Sequence, residues 1–162
     1  MSLYATKGLK LFIGAAIDQK SEDFVAADFT SQTWTEIKNL ENLGSLGDTS
    51  ESVSVSLIGE ARAKILKGTR SAGTMEVVCG IDNADAGQIA AIAAEKSDFD
   101  FAFKLELNDK PATGASPKNG QRLFIAKVMS SAEVFDSANN VMKRNLSLAV
   151  NSNVVRVAAS AT

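Results

Sequence analysis

The sequence holds no histidine, a single cysteine and only two prolines in 162 residues. One thiol, Cys79, excludes an internal disulfide framework and any cysteine-based zinc site. Without histidine, most metal centres and nearly all triad-type nucleophiles are also excluded. No catalytic residue, metal or cofactor is therefore expected. Aromatic residues are scarce, at 6%. No apolar run approaches the ~20 residues that span a bilayer, so no membrane anchor is expected. The N-terminus sets Lys7 and Lys10 before a short LFIGAAI stretch, and an acidic segment follows. That is a poor export signal, and it reads as cytoplasmic synthesis.

What is present suits one soluble domain, 1–162, large enough to bury about 68–70% of its unfolded surface. Hydrophobic residues make up 45% and charged residues 22%, and the net charge is −2. Nothing in that composition calls for nucleic-acid binding. The charge is uneven, however. Residues 1–103 carry 9 Lys+Arg against 15 Asp+Glu, whereas 104–162 carry 8 against 4. Such asymmetry points to oriented surfaces or self-association.

Period-two alternation dominates the chain and places alternate side chains on opposite strand faces. It predicts strands over 9–17, 33–39, 52–58, 74–81, 99–107, 121–129, 131–136 and 141–150. Within 52–58, Val53, Val55 and Leu57 are expected inward and the serines outward. One helix is predicted over about 83–97. Asp82 or Asn83 is its expected N-cap, with Asp85 in the first turn and Ala86, Ile89, Ala90, Ile92 and Ala93 as its apolar stripe. Many strands and one flanking helix make a mainly β protein, a sandwich or barrel. Residues 108–120 hold both prolines and read as a flexible hairpin loop.

Most site-like patterns have plainer readings. GSLGDT and GTRSAG match no phosphate-binding loop and open no helix. Asp98 and Asp100 could act as acid and base, but their alternation with Phe99 and Phe101 more simply turns them away from the core. Asp18, Glu22, Asp23 and Asp28 lack calcium-loop spacing, and Cys79, in phase with Met75 and Val77, reads as an inert buried thiol. Asn145 begins a glycosylation tripeptide in a chain with no export signal. The loop 59–73 is different. Arg62, Lys64, Lys67 and Arg70 stand there against Glu60, directly after an acidic 36–58 segment. It could bind phosphate, be a solvated tip, or meet the acidic segment of another copy.

The run from Trp34 to Val78 resembles the tail tube (major tail) proteins of long, non-contractile-tailed bacteriophages. Trp34, Gly44, Gly47, Lys67, Gly68 and Gly73 carry the resemblance. The helix, the Phe-rich strand, GQRLFIAKVMSS and NLSLAVNSNVV extend it over roughly 8–157. The resemblance implies a β-sandwich-like subunit related to the type VI secretion tube protein. Six copies would close an inner β-barrel, and the rings would stack into a tube that conducts DNA as passing cargo. It assigns ring-to-ring contacts to the 58–73 loop (Arg62, Lys64, Lys67, Arg70) and to the 1–7 arm with Lys7. Its further implied partners are tape-measure, tail tip or baseplate, and terminator proteins, and its place is the virion tail, assembled in a bacterial host's cytoplasm. Lumen candidates are Glu36, Glu51, Ser52, Ser54 and Ser56, because a duct must not adsorb DNA and a basic wall would. The competing readings are a carbohydrate-binding β-sandwich, with Trp34 or Tyr4 as its platform, and a secretion-type tube protein.

Overall fold

The computed structural model describes residues 2–162; Met1, part of the expected N-terminal arm, lies outside them. The strands, in chain order, are β1 (Lys10–Ala16), β2 (Thr35–Ile37), β3 (Leu40–Asn42), β4 (Thr49–Val55), β5 (Lys64–Ser71), β6 (Thr74–Gly80), β7 (Phe101–Glu106), β8 (Gln121–Val134), β9 (Lys143–Val150) and β10 (Val155–Val157). The helix α1 spans Ala86–Glu95, and a 3₁₀ turn covers Ala26–Phe29.

The main sheet runs β2-β1-β7-β8-β9-β6-β3, with β10 also on β8. Its pivot is β8, which unites the two strands expected at 121–129 and 131–136. A bulge between Val128 and Ser130 bends it without ending it. The first part of β8, Gln121–Ala126, pairs with β7. From Ala126 to Val134 it pairs with β9. β7 has by then ended, so the opposite edge of β8 is unpaired. The result is a sandwich-like pair of sheets, β2-β1-β7-β8 and β8-β9-β6-β3, sharing one bent strand.

Alternation decides what lies between them. Leu11, Ile13, Ile37, Met75, Val77, Phe103, Phe124, Leu146 and Leu148 are nearly or fully buried in one cluster. The Phe103 and Phe124 rings stack there at 5.6 Å. A second, smaller cluster of Phe24, Phe29, Ala102, Leu123 and Ile125 covers the other face of the β1–β7 half, with Trp34 packed against it.

The helix is shorter than the predicted 83–97, and its N-cap is Asp85, whose carboxylate accepts the Gln88 N–H. Its buried face is also not the predicted stripe. Gly87, Gln88, Ala91 and Ala94 turn inward, while Ile89 is half exposed. Small side chains let the helix approach β2 more closely than isoleucines would. A Cβ on Gly87 would stand 2.1 Å from the Glu36 carbonyl oxygen. The Gln88 amide then bonds the Gly80 and Lys38 carbonyls.

Three further expectations are corrected. The 33–39 strand is shortened to β2, Thr35–Ile37; Asn39, whose φ is +60°, ends it, and the separate strand β3 begins at Leu40. The 99–107 strand begins only at Phe101, so Phe99 is 64% exposed and Asp100 is buried. The 108–120 segment is tied to the C-terminus rather than loose: Lys118 and Ser160 exchange backbone hydrogen bonds of 2.8 and 3.1 Å.

Candidate functional site

The expected 58–73 loop is largely a strand. β5 pairs with β4 in a separate two-stranded sheet that shares no strand pairing with the main one. A lone two-stranded ribbon is marginal in water. This arm leaves the body after the Gly44–Gly47 turn and returns at Gly73, which sits at φ +66°. Val53, expected inward, is exposed beside an exposed Leu66, and Leu57 and Ile58 are bare at the tip. No core lies beneath them.

The register sorts the arm's faces. Ser52 stands opposite Lys67, Ser54 opposite Ile65 and Ser50 opposite Arg70, so these six share a face. Val53 and Leu66, with Glu51, Val55 and Lys64, occupy the other. Of the four predicted contact cations, Lys64 is bonded to Glu60 at 2.7 Å and Arg70 to Asp48 at 2.6 Å. Arg62 and Lys67 have no ion pair among the described residues. Lys7 lies in the turn before β1, where its carbonyl accepts the Asn108 amide. The arm and Lys7 are thus separate surfaces.

The lumen candidates are not gathered on one surface. Ser52 and Ser54 lie on one face of the arm and Glu51 on the other, Ser56 lies beyond the end of β4, and Glu36 belongs to β2 at the far edge of the main sheet. A more continuous surface lies elsewhere. On β6, β9 and the second part of β8, the residues that alternate with the core are Thr74, Glu76, Val78 and Gly80, then Lys143, Asn145, Ser147 and Ala149, and Lys127, Ser130, Ala132 and Val134, all exposed or half-buried. Lys143 is paired with Glu41 at 2.7 Å and Lys127 with Asp100 at 3.5 Å. Glu76 faces Ser147, and Asn145 faces Val78 and Ala132. The Ser147 hydroxyl bonds the Glu76 carboxylate at 2.9 Å. Among the described residues, no second buried cluster lies over this half, in contrast to the β1–β7 half. Its middle is a wall of small, mostly polar side chains around Glu76, bounded by the unpaired edge of β8, with the ion-paired Lys143 and Lys127 at its two ends.

A buried cation marks the end of that wall. Arg144 is 2% exposed and takes the place of an apolar residue in the inward alternation of β9. It donates to Glu133 at 3.0 Å and to the Ser131 hydroxyl, and its Nε has no partner. Removing Glu133 would strand the charge. Glu133→Leu is expected to cost about 2 kcal/mol, the usual penalty for a buried cation being moderated by the half-exposed partner. Urea unfolding checks this.

The remaining candidates carry no site. Trp34 is packed, stacked 6.5 Å from Phe29 with the Lys104 ammonium over its ring, so it offers no open sugar platform. Burial pushes the Cys79 thiol up and makes it a poor nucleophile. Asp28 is held below the ordinary carboxylate range by Lys20 and the Val25 N–H. Among the described residues, no group of three His, Cys, Asp or Glu side chains could hold a metal ion.

No protein-family model and no curated protein matches this sequence. Solved structures do. The SPP1 tail tube aligns with a TM-score of 0.63 at 16% identity, covering 96% of this chain and 80% of that one. This is the tail tube fold. A chain of the anti-feeding prophage baseplate, 6-fold symmetrised, aligns at TM-score 0.65 and 13% identity, over 98% of both chains. A chain of the native gene transfer agent virion aligns at 0.65 and 15%, covering 96% of this chain and 100% of that one. The tail tube fold thus spans nearly the whole chain, in agreement with the β-sandwich expected from sequence.

Proposed function

We propose that this protein is the structural subunit of a phage or phage-like tail tube. The observation that carries the reading is the β8-β9-β6-β3 half-sandwich. One face closes a core, the other is open and small-polar, and the β8 edge is unpaired. An unpaired edge invites strand addition, and closure into a barrel removes it. Edge-to-edge pairing of copies would close a ring with Thr74, Glu76, Asn145, Ser147 and Ser130 on its inner wall. The 6-fold baseplate and the C6 gene transfer agent tail among the structures of like fold favour six copies.

Such a ring would carry about −12, enough to repel phosphate at long range. DNA passes as cargo, without base contacts or catalysis. The inner-wall assignment moves from the serines of β4 to the open face, because the arm stands off the body. Rings stack through the arm, with Arg62, Lys64, Lys67 and Arg70, and through the N-terminal segment with Lys7. Tape-measure, tip and terminator proteins bound the tube's ends, and assembly occurs in the host cytoplasm. A secretion-type tube would use the same subunit physics.

The test reverses the arm's charge. Lys64→Glu, Lys67→Glu and Arg70→Glu together should block tube growth and leave the melting temperature nearly unchanged. The two ion pairs lost are exposed, and such pairs contribute at most about 1 kcal/mol each. Normal-length tubes from this variant would sink the arm assignment.

A further inference from the structure

We propose that a cleft between residues 16–19 and 98–100 receives the arm of a second copy, with Ile65 seated on Phe99 and Ile17 and Lys67 set between Asp18 and Asp98. This rests on the tube reading above and names the arm's receptor.

The arm supplies a short apolar and cationic pair. Ile65 is 74% exposed and shares its face with Lys67 two residues on, about 6.6 Å along the strand. Small serines stand opposite both, so the two side chains protrude. Lys67 has no carboxylate on its own chain among the described residues.

The cleft has the complementary character. It measures about 390 Å³ and is lined by Ala16, Ile17, Phe99, Asp18, Asp98 and Asp100, with Gln19 and Lys127. Phe99 is an exposed ring flanked by carboxylates. Asp100 is already engaged by Gln19, Asn151 and Lys127, which neutralises that lysine. Asp18 and Asp98 have no ion pair among the described residues, and exposed Glu22 and Asp23 continue the acidic segment beyond Asp18. An apolar side chain beside a cation thus meets an apolar floor beside two free carboxylates.

The chain does not fill its own cleft. None of residues 49–69 lines it, nor the adjacent cleft of Asp23, Asp48, Arg70 and Asn151–Asn153 at the arm's base. Different surfaces on the two copies make the contact head-to-tail, which propagates instead of stopping at a dimer.

Charge exchange tests it. Lys67→Glu and Asp98→Lys should each lower the sedimentable tube fraction roughly tenfold, and the two together should restore about half or more of it, because like charges face each other only in the single variants. Single variants that assemble like the unaltered protein overturn the proposal, as does a pair no better than Lys67→Glu alone. A second readout is independent of tube growth. The chain carrying both Ile65→Cys and Phe99→Cys should give a ladder of covalent multimers on oxidation, since buried Cys79 does not compete. Tubes without a ladder overturn the docking and leave the tube reading standing. Neither tubes nor ladder, with the unaltered chain also forming no tubes on seeding with tail tips, overturns both.

Discussion

Replacing Gly87 with alanine is expected to destabilise the subunit by about 3 kcal/mol. The new methyl would fall within 2.1 Å of the Glu36 carbonyl oxygen, so either helix or strand must move. Neither is free. β2 is paired with β1 through Glu36 and its neighbours. The Asp85 carboxylate holds the Lys38 N–H at 3.0 Å, and Gln88 holds Gly80 at 2.8 Å. Overpacking of this kind costs about 1–3 kcal/mol, and the strained hydrogen bonds add about 1 kcal/mol each. The better helix propensity of alanine returns less than about 1 kcal/mol at this first-turn position. For a domain of this size the melting temperature should fall by roughly 6–12 °C. Gly47→Ala, where an added Cβ meets nothing within 4 Å, should leave it almost unmoved. Equal melting curves for the two variants would refute the close helix–strand contact.

The second large effect concerns DNA. Lysines at Ser130, Glu76 and Ser147 would turn the middle of the open face, now small-polar around Glu76 and flanked by the ion-paired Lys143 and Lys127, strongly basic. Each lysine that reaches a phosphate adds about 0.9 to the slope of log affinity against log salt, so several per ring would shift affinity by orders of magnitude. Tubes of the variant should retain short duplex DNA at low salt and release it as salt rises, whereas unaltered tubes should not retain it. The same three lysines should leave assembly intact, because these side chains lie on a sheet face and not on the β8 edge. Variant tubes that ignore DNA at low salt would show that this face is not the inner wall.

Much of this was legible in the chain. Alternation located the core faces of β1, β6 and β9, because one side of each is buried and the other is wetter, whereas Leu123–Ala126 of β8 is buried on both faces and shows no alternation to read. It failed where that asymmetry is absent. Both faces of the arm are exposed, so Val53, Val55 and Leu57 mimicked a half-buried strand, while KILKGTRS, broken by a glycine and a threefold charge spacing, mimicked a loop. The helix stripe was misjudged because isoleucines suggested the buried side, whereas backbone proximity at Glu36 selects glycine and alanine. Phe99 misled for a similar reason: it continues the Phe-rich phase but precedes the strand. The open face was visible as Thr74, Glu76, Asn145 and Ser147 alternating with core residues. That nothing covers it is a tertiary fact, absent from local pattern.

The most direct measurement is negative-stain electron microscopy of the purified protein over a concentration series, with and without tail tips as seeds. The account predicts rings or hollow tubes, at the latest on seeding. A protein that stays monomeric at high concentration and adds to no seed would contradict it.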